Sequence, residues 1–215
     1  MFDRYAVVGH FYDFTSNLYS GKSIQRCKVA HLDLLRPGDK VLFAGVGHGR
    51  DALYAARRGA DVTVVDLSKT MLMKFSRVMA ADGNAVVVRQ VHNDIMAFDE
   101  PERYDMVVAN FFLNVFNRER VSKVLAHLIT QAKPGGKVVV GDFAHPHGSA
   151  LARMAKTLYW YIAVIFFWLI AGNAVHDIYD YPALMDKLGL KVDGKKYFPI
   201  FGMDFYWSVL GRKPG

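Results

Sequence analysis

The sequence predicts an α/β fold: a doubly wound, seven-stranded sheet, mostly parallel, with a C-terminal antiparallel hairpin. Three observations carry this. Apolar runs alternate with segments of helical periodicity through residue 142, the pattern of a parallel sheet with helices on both faces. Val41-Leu42-Phe43-Ala44-Gly45-Val46-Gly47-His48-Gly49-Arg50-Asp51 reads as a buried strand, a glycine turn and the first turn of a helix. The tail, Lys191 to Phe198 and Asp204 to Leu210, alternates polar and apolar residues around Pro199-Ile200-Phe201-Gly202, as a long-looped hairpin closing the sheet would.

In chain order, residues 1–36 form an N-terminal helical lid to a single domain. The opening MFDRYAVVGHFYDF carries an early Asp and no sustained apolar region, so no signal peptide is expected. Cys27 is the one cysteine; it excludes a disulfide framework within the chain and fits a reducing cytoplasm. Its helix-like surroundings (Ile24, Val29, Leu32, Leu34) read it as a small core hydrophobe. Residues 37–142 form a cofactor-binding core, with strands near 39–44, 61–66, 85–90, 104–109 and 136–142 and helices near 49–58, 69–81 and 117–132. Pro134-Gly135-Gly136 reads as a sharp turn into the fifth strand. Residues 143–190 are an apolar helical insertion or lid, and 191–215 the closing hairpin.

Within the insertion, Leu158 to Ile170 is uncharged and apolar, and the block continues to Val175 with only Gly172 and Asn173 as breaks. A spanning helix needs about 20 such residues, and a span here would tear the hairpin from the sheet. A buried or interfacial helix is expected, over a lipophilic site or at a bilayer surface; the alternative is a core or homodimer interface.

Composition points the same way. The chain is 52% apolar with a net charge of +7 and a mean hydropathy of +0.10, which favours an anionic surface as partner. The basic residues are scattered, without interleaved aromatics tracking a phosphate backbone, so no nucleic-acid partner is expected. His145-Pro146-His147 lacks a third ligand, so no metal is expected. The localisation read from this is cytoplasmic, at or near the inner face of the membrane.

The glycine loop and Asp66, seventeen residues after Gly49 at the end of Val62-Thr63-Val64-Val65, indicate a nucleotide-like cofactor. Glycines let backbone N–H groups approach it, and an acid about 20 residues on accepts from ribose hydroxyls. The dinucleotide pattern fails, because Gly45, Gly47 and Gly49 alternate and residue 50 is Arg. Tyr12-Asp13 to Tyr19-Ser20, the glycine loop, Val65-Asp66-Leu67-Ser68, Asn93-Asp94-Ile95, Tyr104 to Asn110 and Lys133 to Lys137 stand in one order. Together they resemble the class I S-adenosylmethionine-dependent methyltransferases, of the ubiquinone/menaquinone C-methyltransferase type, over about residues 10–211.

The resemblance implies a Rossmann-like fold and S-adenosylmethionine as cofactor. It implies that Gly45, Gly47 and Gly49 cradle the methionine end and that Asp66 holds the ribose. Leu67 and Ile95 would sandwich the adenine, Asp94 would accept from its amine, and Asn110 and Phe111 would lie near the methyl. The family has an acid where Phe43 stands; Asp51 is placed to compensate or, alternatively, only to favour the helix N-terminus. The Gly-x-Gly-Arg-Asp pattern also resembles the thiol and tellurite methyltransferase branch.

A base is sought at the carboxyl ends of the strands. The candidates are His145, Tyr179 and His176, with Tyr12, Tyr19, Phe111 and His147 lining the acceptor site. Three functions compete: methyl transfer to a small lipophilic acceptor (quinone-like, phenolic or lipid); methyl transfer to a thiol or chalcogen; and a non-methylating, membrane-associated protein that binds the cofactor.

Overall fold

The structure, a computed structural model, describes residues 22–83, 86–171, 176–200 and 202–215. Seven strands, β1 (Lys40–Ala44), β2 (Asp61–Asp66), β3 (Val88–His92), β4 (Tyr104–Asn110), β5 (Ala132–Phe143), β6 (Lys191–Ile200) and β7 (Met203–Arg212), form one sheet. Their order is β3-β2-β1-β4-β5-β7-β6. The first five are parallel, and β7 runs antiparallel between β5 and β6. Connections from β1 wind outward in both directions, so the crevice beyond the carboxyl ends of β1 and β4 is the switch point of the sheet, where such folds bind ligands.

The central strands are continuous apolar runs because both faces are covered. Alternate side chains face opposite ways. Leu42, Ala44, Val107, Ala109, Val138 and Val140 meet Val121, Val124, Leu125 and Leu128 of one helix and Tyr181 and Met185 of another. These helices are α4 (Arg118–Gln131) and α6 (Tyr181–Lys187). On the other face Val41, Phe43, Val62, Val64, Met106 and Val108 meet Ala52, Leu53, Leu72 and Phe75, from α2 (Arg50–Arg57) and α3 (Lys69–Ala81). The starts of α3, α4 and α6 are capped by Ser68, Asn117 and Asp180, each accepting an N–H of the first turn.

Helix α1 (Ser23–Lys28) packs on β6 and β7. Its Cys27 is fully buried, and the thiol donates to the Trp207 carbonyl at 3.0 Å. Burial pushes its pKa well above the usual thiol value, so it serves as core.

Two boundaries differ from expectation. The third strand starts at Val88 rather than near 85, and Val87 just before it is 88% exposed. The fifth starts at Ala132: Pro134-Gly135-Gly136 forms a bulge within β5, not a turn before it. Tyr104 pairs with Ala132 and Met106 with Lys137, so five residue steps on β5 oppose two on β4.

Leu158 to Ile170 of the apolar block lie in α5 (Ala150–Ala171), and its continuation over 172–175 falls outside the described residues. Trp160 and Val164 face inward at 4% exposure, while Leu151, Met154, Leu158, Ile162 and Ile165 face outward, between 47% and 71% exposed. Among the described residues, no helix is long and apolar enough to cross a membrane.

Candidate active site

β1 ends at Ala44, and the chain turns through Gly45, Gly47 and Gly49 at φ of 76°, 48° and 68° into α2. A side chain at Gly49 would overlap the Phe75 ring, and a Cβ at Gly45 would lie 2.7 Å from Phe112. At Gly47 a Cβ would meet only Lys28 Nζ, at 3.7 Å. Gly45 and Gly49 therefore serve packing, while Gly47 presents its backbone to an open face. Gly49→Ala combines left-handed strain with this overlap and is expected to lower the unfolding free energy by about 3 kcal/mol; urea denaturation measures it.

Asp66 ends β2. Its Oδ2 accepts the Val46 N–H at 2.8 Å and its Oδ1 the Ser68 N–H at 2.7 Å. The expected ribose acid thus also pins the glycine loop to the start of α3. Leu67 follows, 69% exposed, its carbonyl held by His92 Nε2 at 3.0 Å. Asp66 pairs with His92 across β2 and β3, and the Asn93 N–H donates to the Asp66 carbonyl, which sets Asp94 and Ile95 beside the Asp66–Leu67 corner. Asp94 Oδ1 caps Met96, and Arg120 stands 3.9 Å from Oδ2. Ile95 is 5% exposed. An exposed leucine, a buried isoleucine and a carboxylate at one corner suit an adenine ring.

At the end of β4, Asn110 Nδ2 donates to Asp51 Oδ2 at 2.8 Å and to the Lys28 carbonyl at 2.9 Å. Its Oδ1 is buried without a partner among the described residues. Asp51 and Lys28 are 5% and 7% exposed. Phe43, standing where the family has an acid, is packed into the core.

Phe111 follows with φ of 51°, its N–H donating to the Gly141 carbonyl at 2.7 Å. Its ring meets Tyr206 and Phe143 edge-on, with centroids 5.5 and 6.0 Å away. Phe143 in turn meets Trp160 at 4.8 Å, and the Tyr159 and Tyr206 hydroxyls are 2.8 Å apart. Five aromatic rings thus gather where β4, β5, β7 and α5 converge.

The expected bases take different positions. His145 is exposed after β5. His147 turns to the hairpin, with Nε2 3.4 Å from Asp204 and its ring on Tyr197. His176 sets its nitrogens against the Asp177 and Asn114 carbonyls at 2.7 and 2.9 Å and stacks on Tyr179 at 4.3 Å. With both nitrogens so engaged, it presents no open proton acceptor. The Tyr179 hydroxyl donates to the Phe116 carbonyl at 2.8 Å, and burial pushes its pKa to about 12. His176 and Tyr179 therefore brace the wall of the site. Tyr12 and Tyr19 lie outside the described residues.

Two side chains of consequence were not chosen as site residues from the sequence. Asp142, 1% exposed, accepts from Asn114 and the Phe143 N–H at 2.8 Å and from the Tyr181 hydroxyl at 2.6 Å. Burial pushes its pKa up to about 6. A lone acid inside the apolar run from Val138 to Phe143 was its signal. Lys28 had none: one lysine in a short helix reads as surface.

Residues 41–136 match the family described as methyltransferase domain. The chain is 31% identical over 184 residues to a demethylmenaquinone methyltransferase of Clavibacter sepedonicus, covering 84% of this chain and 71% of that protein. It is 32% identical over 148 residues to the Streptomyces avermitilis protein of the same name, covering 68% of this chain and 60% of that one. Except for the Clavibacter protein, the chain thus spans less than two thirds of these relatives; another, from Renibacterium salmoninarum, is covered over 55%. Among solved structures, 1,6-didemethyltoxoflavin-N1-methyltransferase of Burkholderia thailandensis, with bound 1,6-didemethyltoxoflavin and S-adenosylhomocysteine, superposes with a TM-score of 0.70. It is 19% identical and matches 99% of this chain and 87% of its own.

Proposed function

Because the chain belongs to the class I S-adenosylmethionine-dependent methyltransferases, we propose that it methylates a small, lipophilic, aromatic acceptor of quinone-like or phenolic kind. The cofactor, when bound, supplies an electrophilic methyl on a sulfonium. Gly47, Asp66, Leu67, Asp94 and Ile95 hold it, and the chain's remaining task is to position the acceptor and exclude water.

The observation that carries the acceptor class is the gathering of Phe111, Phe143, Tyr159, Trp160 and Tyr206 at the carboxyl ends of β4 and β5. Such a wall favours a flat apolar ring and disfavours water. The named activity of the Clavibacter relative supports a quinone-like ring. His145, whose ring is exposed and makes no hydrogen bond among the described residues, takes the acceptor's proton in this reading.

The test offers the purified chain S-adenosylmethionine with a short-chain demethylmenaquinol or a small thiol. Methylated quinol supports the reading; methylated thiol alone overturns it. Trp160→Ala should raise the acceptor KM at least tenfold, roughly one buried aromatic contact, with cofactor affinity unchanged. His145→Gln should lower kcat; unchanged turnover points to the thiol.

The outward stripe of α5 supports delivery of that acceptor from an anionic bilayer. Leu151, Met154, Leu158, Ile162 and Ile165 recur at steps of three and four, and the chain carries a net charge of +7, which complements anionic lipid. The protein should float with phosphatidylglycerol vesicles, and Leu158→Glu with Ile162→Glu should release it. A dimer in solution that the same pair dissociates, with no flotation, would make the stripe a subunit interface instead.

A further inference from the structure

Helix α5 carries a buried cation on its inward face. Lys156, Trp160 and Val164 recur at steps of four and are 5%, 4% and 4% exposed. The lysine thus enters the protein on the same line as Trp160 of the aromatic wall, and Tyr159, a second member of the wall, stands three positions on. Residues three and four apart are neighbours on a helix, and their side chains lean toward its N-terminus. The Tyr159 and Trp160 rings therefore lie over the turn that Lys156 occupies. Both meet Phe143, with centroids 6.2 and 4.8 Å away.

The ammonium has weak partners. It donates to the His147 carbonyl at 3.3 Å and lies 3.5 Å from His147 Nε2, both long beside the usual charge-assisted bond of about 2.7–2.9 Å. Among the described residues no carboxylate forms an ion pair with it. Asp204 attracts it from further off but stands against His147, 3.4 Å from Nε2. His147 Nδ1 is 3.0 Å from the His145 carbonyl. A carbonyl only accepts, so Nδ1 carries a proton, and the neutral ring offers Nε2 as acceptor. Both partners of Lys156 are then uncharged. Burial disfavours such a cation and lowers its pKa, and an anionic oxygen would offset that cost.

We propose that Lys156 is the oxyanion-binding residue of the acceptor site, and that the acceptor binds there as a hydroxylated aromatic ring with one hydroxyl ionised. The inference rests on the methyltransferase reading and deepens it. The wall takes the flat ring, and the ammonium beside it takes the charged oxygen. An ionised hydroxyl enriches the ring in electrons, which favours attack on a sulfonium methyl. His145, the proton acceptor of that reading, stands two residues before His147. The group that removes the hydroxyl proton and the group that holds the resulting anion thus meet at one loop. An acceptor without an acidic hydroxyl would leave Lys156 buried against neutral atoms.

The test is spectroscopic. 4-Nitrophenol, whose ionised form absorbs at longer wavelength, is titrated with base in the presence of the chain saturated with S-adenosylhomocysteine. Bound to the wild-type chain it should ionise at least about one pH unit below the free probe, roughly a tenfold preference for the phenolate. Lys156→Met should return the midpoint to the free value, and Lys156→Arg should keep the shift. Both should bind S-adenosylhomocysteine within about twofold of wild type. Asp204→Asn, at a half-exposed position of the hairpin, removes the carboxylate that attracts Lys156 and should move the midpoint lower still; this reading does not depend on Lys156→Met folding. No binding of the probe, no shift in the wild-type chain, a shift that survives Lys156→Met, or a midpoint indifferent to Asp204→Asn overturns the oxyanion site with the cofactor site intact. If the chain binds no S-adenosylhomocysteine, the methyltransferase reading falls, and the oxyanion site with it.

Discussion

Asp66→Ala is expected to remove measurable cofactor binding, a loss of at least 100-fold or about 2.7 kcal/mol, and to lower the unfolding free energy by about 3 kcal/mol as well. The second effect comes from geometry. The carboxylate accepts the Val46 and Ser68 N–H groups at 2.8 and 2.7 Å, and bonds to an ionised acceptor contribute about 1.5–3 kcal/mol each. Removing both frees the glycine loop from α3. Urea denaturation beside calorimetry with S-adenosylhomocysteine separates the two effects. If binding is lost at unchanged stability, the carboxylate serves the ribose alone and the loop holds its shape by its glycines. If both fall together, alanine at this site cannot report ribose recognition by itself, and Asp66→Asn, which retains one acceptor oxygen, becomes the informative variant.

This bracing of the loop shows where sequence stops being legible. Strands β1, β2 and β4 were readable because a strand buried on both faces must be apolar throughout, as Val41 to Ala44 and Met106 to Ala109 are. The same logic misplaced β3, since Val87 continues the apolar run yet is exposed before pairing begins at Val88. Pro134-Gly135-Gly136 signals a chain reversal locally, but pairing with β4 on either side turns it into a bulge.

The positions of the glycine loop and of Asp66 were legible because their spacing along one strand–helix–strand unit carries the information. Contacts between distant segments were not. Asn110 reaches Lys28 over 82 positions and Asp51 over 59. His176 reaches the Asn114 carbonyl over 62, and so becomes a brace where the sequence showed a histidine in a polar cluster. Burial decides these roles, and no local pattern encodes it for a single lysine or histidine.

Asp142→Asn is expected to stabilise the protein at neutral pH. The carboxyl of Asp142 has its pKa raised from 3.8 to about 6, chiefly because burial penalises the charged form, against the opposing pull of Tyr181, the Phe143 N–H and Asn114. A folded pKa above the unfolded one means that the fold favours the protonated acid. That contribution is complete below about pH 4 and lost as pH rises through about 6, leaving about 3 kcal/mol less stability at pH 7. Asparagine can direct its oxygen to the Asn114 and Phe143 donors and its amide nitrogen to the Tyr181 oxygen, without burying a charge. The advantage of the variant over wild type in urea denaturation should therefore grow by about 3 kcal/mol between pH 4 and pH 7, and a constant difference would contradict a raised pKa. Activity should move the other way. Asp142 holds Asn114, whose carbonyl faces His176, and Tyr181, at the start of α6; its neighbour Phe143 is the hub of the aromatic wall. A charge kept here against a stability cost is the mark of a site that needs its wall held in one position. A more stable Asp142→Asn with undiminished kcat/KM for its methyl acceptor would show that the buried carboxylate serves neither the fold nor the wall.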